Sequence, residues 1–111
     1  VMGKDAKGRA VMFKMVRGAL DAGLQPVDDA DRALREGRLA DAGKIFHSMR
    51  GAVGVLGAKR LVRATLEAEA AIKEGAPESL PAHFAAVRRE LEQVLDQGRA
   101  WLEREEKVEA P

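Results

Sequence analysis

The chain has two histidines and no cysteine, and only one histidine sits in a setting that suggests chemistry. Gly43 and Gly51 lie four residues before and after His47, Gly54 lies seven after it, and Lys44 and Arg50 lie three to either side. On an α-helix residues at these spacings share the histidine's face. The ring is therefore expected in a clearing bordered by cations. Neutral imidazole is a nucleophile near neutral pH, its ordinary pKa being about 6.5. The N–P bond it forms is labile enough to pass a phosphoryl group onward. Arg50 offers planar N–H donors to phosphoryl oxygens, and Lys44 offers a point charge. Glycine inside a helix costs about 1 kcal/mol relative to alanine. A domain stable by only about 5–15 kcal/mol is expected to gain something local from carrying three of them. Access for a partner's loops to the imidazole is that gain. Gly54, and less so Gly51, has a second reading as a site of close helix packing. Arg50 and Lys44 have one as ordinary solvated charges.

The elements that must hold this cluster are helical. Ala, Leu, Arg, Glu and Lys dominate, tyrosine is absent, and no alternating β-branched run occurs. Val11, Met12, Met15, Val16, Ala19 and Leu20 recur at helical spacing in a first segment. The glycine and proline between Ala22 and Pro26 break or kink it. A second piece runs from about Pro26 to Glu36, and Gly37 ends it in the left-handed conformation. The third helix, about Leu39 to Leu56, carries a stripe at Leu39, Ala42, Phe46, Met49, Val53 and Leu56. At about 100° per residue His47 falls roughly 130° from the centre of that stripe, so it points to solvent. Gly57 interrupts the chain before a fourth helix, about Ala58 to Glu74, with Leu61, Ala64, Ala68 and Ile72 inward, stopped by Gly75 and Pro77. Ser79 is placed to cap a fifth helix with Pro81 in its first turn, and Phe84, Val87, Leu91, Val94, Gly98 and Trp101 repeat the core spacing. Short connections favour antiparallel neighbours. The expected fold is all-α, an up-and-down four-helix bundle with a kinked or split N-terminal helix. Residues 1–111 are read as one domain, with a loose start around Gly3 and Gly8 and a frayed tail after about residue 104.

The run from His47 through Ser48, Met49, Arg50, Gly51, Ala52, Val53 and Gly54 to Val55, Leu56, Gly57 and Ala58 resembles the signature of histidine-containing phosphotransfer domains. That signature is histidine, any residue, an aliphatic residue, lysine or arginine, glycine, then small residues leading into a second glycine-rich turn. The likeness extends upstream to the turn at Glu36, Gly37 and Arg38, and downstream through Lys59, Arg60 and Leu61 to Gly75. It thus covers about Pro26 to Gly75, and the flanks match only by helical pattern. The resemblance implies a four-helix bundle, phosphorylation of His47 through Nε2, and a receiver-domain partner supplying both the aspartate and Mg²⁺. Arg50 stands where lysine is more usual, which keeps the charge but changes the donor geometry. Glu69 occupies the position on the next helix where such domains often place a Glu or Gln that hydrogen-bonds and orients the ring. Its plainer reading is a surface ion pair with Lys73.

Composition removes several competing functions. A net charge of +1 with 33% charged residues gives no field for nucleic acid or anionic lipid. No apolar run approaches the roughly 20 residues of a membrane span, and no signal-peptide pattern precedes the first helix. The absence of cysteine fits a reducing compartment, so a cytoplasmic monomer is expected. Two separated histidines do not make a metal site. No phosphate loop or acidic pair for Mg²⁺ is present, so no cofactor is expected and the chain is read as a carrier without kinase machinery. The expected partners are response-regulator receiver domains and a hybrid sensor histidine kinase, with Met49, Val55 or Leu56 packing beside His47 against the receiver. The alternative is a helical docking module for receivers that is never phosphorylated. An enzyme using His47 as general base ranks last for want of an acidic partner and a pocket. His83 is read as an ordinary surface residue.

Overall fold

The computed structural model describes residues 2–54, 58–75 and 77–109, with side chains over 8–51, 58–75 and 77–107. Five α-helices follow in order: α1 (Met2–Ala22), α2 (Gln25–Arg35), α3 (Leu39–Gly54), α4 (Lys59–Glu74) and α5 (Leu80–Glu109), with one 3₁₀ turn at Pro77–Ser79. There is no strand among the described residues. Helices α2 to α5 pack as a closed ring in chain order, α2 on α3, α3 on α4, α4 on α5 and α5 back on α2. This is the antiparallel four-helix bundle, and the N-terminal element is split into α1 and α2.

Among the described residues three glycines adopt positive φ, and all three sit at helix ends: Gly23 (+56°), Gly37 (+75°) and Gly75 (+68°). Only glycine enters this region at little steric cost, which is why α1, α2 and α4 end there. α5 begins at Leu80, directly after Ser79.

The core forms where the helical stripes meet. Val27, Ala30 and Ala33 of α2, Ala42, Phe46 and Met49 of α3, Leu61, Ala64 and Ala68 of α4, and Leu80, Phe84, Val87, Leu91 and Leu95 of α5 are buried together. Alanine lets the backbones approach closely. Phe46 and Phe84 fill the middle edge to face, with centroids 4.9 Å apart and planes at 81°. Arg88 of α5 bridges Asp28 and Asp31 of α2, at 2.7 Å to each. Hydrogen bonds to Asp31 and then Asp28 raise its pKa further above the ordinary arginine value.

Helix α1 begins at Met2 and α5 continues to Glu109. α5 has 30 residues against 16 in α3 and in α4, so its C-terminal half overhangs the bundle. α1 covers that overhang and packs chiefly on α5. Phe13 meets Trp101 at 5.0 Å, Arg9 pairs with Glu105, and Arg17 reaches Glu106 at 3.5 Å. With one neighbouring helix instead of two, α1 buries only Val16 of its expected stripe. Met12, Met15, Ala19 and Leu20 are half-buried, and Val11 is 57% exposed.

Candidate functional site

His47 lies on α3 with Ala42, Phe46 and Met49 on the helix's buried side. Its own side chain is exposed. A helix that buries one stripe against α2, α4 and α5 must present the opposite face to solvent, and the histidine occupies that face.

The clearing around the ring is physical. A methyl group built on Gly43 or on Gly51 would meet no heavy atom within 4 Å outside the helix's own backbone. Neither glycine is used for helix packing, so the gap beside the ring is open to an approaching molecule. Gly54 closes α3, and its surroundings lie outside the described residues, as do the side chains of Val53, Val55, Leu56 and Gly57. The packing reading of Gly54 and the docking role of Val55 and Leu56 therefore lie outside the described residues. Met49, expected to help cover the receiver, is only 6% exposed and belongs to the core. Its position two residues after His47 turns it about 200° away from the ring.

Arg50 stands one turn beyond His47. Its Nη2 donates toward His47 Nδ1 at 2.8 Å, and its Nη1 pairs with Glu69 Oε2 of α4. Both partners of the ion pair are largely shielded, with side-chain exposures of 23% for Arg50 and 20% for Glu69. Glu69 does come to the site from the neighbouring helix, but it reaches the histidine through the guanidinium. The direct Glu69–His47 hydrogen bond implied by the family likeness is replaced by this relay, because arginine is long and forked enough to touch both groups at once. The alternative pairing of Glu69 with Lys73 is replaced too, since the carboxylate is spent on Arg50.

A shallow groove of about 590 Å³ runs beside the ring between α3 and α4, lined by Gly43, Lys44, His47, Ser48, Glu69, Ile72 and Lys73 together with Leu39 and Ala40. Lys44 and Lys73 are both exposed and face this groove from opposite helices. Sequence spacing points to Lys73 only as a partner for Glu69. Its proximity to His47 follows from the antiparallel pairing of α3 and α4, which no spacing within one helix reveals. A second groove of about 680 Å³ lies on the other flank of α3, with Ala19, Ala22, Pro26, Ile45 and Leu91 in its wall and Lys44 and Ser48 on the ridge it shares with the first. His83 is half-buried on α5. Among the described residues no group of three or more His, Cys, Asp or Glu side chains is placed to hold a metal ion, and no helix is long and apolar enough to cross a membrane.

An exposed imidazole with Nδ1 held by Arg50 and two lysines at the rim can accept and release a small anionic group. The family model of the Hpt domain matches residues 14–97, a span that contains every one of these residues. No curated protein and no solved structure gives a significant match to the chain.

Proposed function

Since the chain belongs to the Hpt domain family, the phosphocarrier modules of two-component phosphorelays that work with receiver domains, we propose that His47 is the residue that carries the phosphoryl group, through Nε2. The observation that carries this reading is the exposed ring in an open patch, with Gly43 and Gly51 leaving room on either side. In transfer, the Nε2 lone pair attacks phosphorus of an aspartyl phosphate, and the P–O bond breaks with its electron pair going to the carboxylate. The return step reverses this. The receiver supplies the aspartate and Mg²⁺, and the carrier contributes no nucleotide or kinase chemistry of its own.

Lys44 and Lys73 meet the negative charge of the phosphoryl group and of the receiver's acidic pocket. The apolar groove on the far side of Lys44 and Ser48 is continuous with the site and suits the receiver's apolar rim. Such an encounter is fast and transient, as a relay requires. The protein acts as a cytoplasmic monomer whose partners are response regulators and a hybrid sensor kinase.

Replacing His47 with Gln tests the reading against the alternative of an unphosphorylated docking module. Radiolabel passed from a phosphorylated receiver to the wild-type chain is expected to be acid-labile and base-stable, and to vanish in His47→Gln while receiver binding persists. Undiminished labelling of the variant would move the carrier to another residue.

A further inference from the structure

Arg50 holds the wrong nitrogen proton for attack, and we propose that it is a latch that must release His47 before the ring can react. This rests on the reading of His47 as the acceptor through Nε2. Arginine has N–H donors and no acceptor. At 2.8 Å from Arg50 Nη2, Nδ1 must therefore offer its lone pair, and the proton of the neutral ring sits on Nε2. An Nε2–H has no lone pair with which to attack phosphorus. In this arrangement the imidazole is exposed yet not nucleophilic at the nitrogen that faces the partner.

The same contacts supply the way out. Glu69 is held on the other arm of the Arg50 fork, close enough to the ring for one guanidinium to span both. An incoming phosphoryl group is a stronger attraction for arginine than a neutral imidazole nitrogen. When Arg50 turns to those oxygens, Nδ1 loses its donor and the Glu69 carboxylate loses its cation. The proton moves from Nε2 to Nδ1 by exchange with solvent, and Nδ1–H then donates to Glu69. Nε2 is left with a free lone pair. Attack forms the Nε2–P bond, the aspartyl P–O bond breaks with its electrons on the carboxylate, and the positive charge gained by the ring lies against Glu69. Lys44 and Lys73, on the groove wall, face the phosphoryl group throughout. Arg50 is thus a positioning residue that decides which ring nitrogen carries the proton, and Glu69 is its counterpart in the reactive state.

The test reads the tautomer directly. In the full chain labelled with ¹⁵N-histidine and held where the ring is neutral, long-range ¹H–¹⁵N correlations distinguish Nε2–H from Nδ1–H, with His83 as an internal comparison. His47 is expected as Nε2–H in the wild type. In Arg50→Met the ratio of Nδ1–H to Nε2–H rises about tenfold, the size of one charge-assisted hydrogen bond exchanged for another. In Arg50→Met combined with Glu69→Ala the rise is smaller but persists, because the donor to Nδ1 is gone while no acceptor awaits the Nδ1 proton. A wild-type ring already in the Nδ1–H form, an unchanged ratio in Arg50→Met, or a double variant no different from the wild type overturns the latch. None of these measurements involves phosphate, so the latch can fail while His47→Gln still abolishes labelling, and the reverse.

Discussion

Glycine on α3 and glycine on α5 do opposite work in this molecule. A methyl group on Gly51 would enter empty space beside His47, whereas one on Gly98 would lie 3.2 Å from Val16 Cγ1 and 3.9 Å from Leu20 Cδ2. Both glycines sit inside helices, and both carry the same intrinsic penalty of about 1 kcal/mol against alanine. At Gly98 the missing side chain is recovered at once as close contact between α1 and α5. At Gly51 nothing in the chain recovers it, so the gain must come from something outside. Residue type alone does not separate a packing glycine from an access glycine. What a Cβ would touch separates them only together with place, since Gly18 inside α1 is equally open but Gly43 and Gly51 alone of the open glycines border His47.

The contrast is sharpened by filling each gap. Gly51→Gln is expected to lower the rate of phosphoryl transfer by about 100-fold, the loss that follows from holding reacting groups apart by an ångström or more. The denaturation midpoint should be unchanged or slightly raised. Stopped-flow or rapid-quench transfer from a phosphorylated receiver, run beside urea unfolding, checks both. Transfer at the wild-type rate would show that the clearing has no role.

Filling the other gap is expected to do the reverse. Gly98→Leu forces a branched side chain into the space of Val16, which is itself buried, and overpacking of that kind costs about 1–3 kcal/mol. Urea unfolding should report that loss, while transfer per folded molecule should fall far less than in Gly51→Gln, because α1 gives no residue to the groove that holds His47 and only Ala19, Asp21 and Ala22 to the groove beyond Lys44 and Ser48. A fall in transfer equal to that of Gly51→Gln would mean that the arm and the site are mechanically coupled.

The same contrast explains what was legible in the sequence. The stripe of α3, the exposure of His47 and the helix ends at Gly37 and Gly75 depend on spacing within one segment, and spacing is what a sequence displays. The burial of Met49 was half legible, since it lies on the stripe that places Phe46 inside. As a docking residue it offers little, because it is 6% exposed and only lines the groove beyond Lys44 and Ser48. The course of α1 was not legible, because its stripe of Val11, Met12, Met15 and Val16 looks like a core helix until α5 proves too long for the bundle. At the site, Glu69 lines the groove beside His47 but pairs with Arg50 rather than with the ring. Whether a carboxylate meets imidazole or guanidinium depends on which side chain reaches first across α3 and α4. Lys73 entered the groove by the same route, through helix pairing that local periodicity does not contain.

The smallest expected effect isolates the cost of access itself. Gly51 has helical geometry without positive φ, so alanine fits its backbone, and the added methyl meets nothing. Gly51→Ala should therefore stabilise the fold by about 0.5–1 kcal/mol, the helix-propensity difference with no packing term to offset it. One methyl group is too small to exclude a partner loop, so transfer should fall only a few-fold, well short of the Gln variant. Gly98→Ala is the control, because there the same gain in propensity opposes the 3.2 Å approach to Val16 and the net change should be smaller or of opposite sign. If Gly51→Ala proves no more stable than the wild type, the glycine is not a sacrifice of stability for access, and the distinction between the two helices loses its energetic basis.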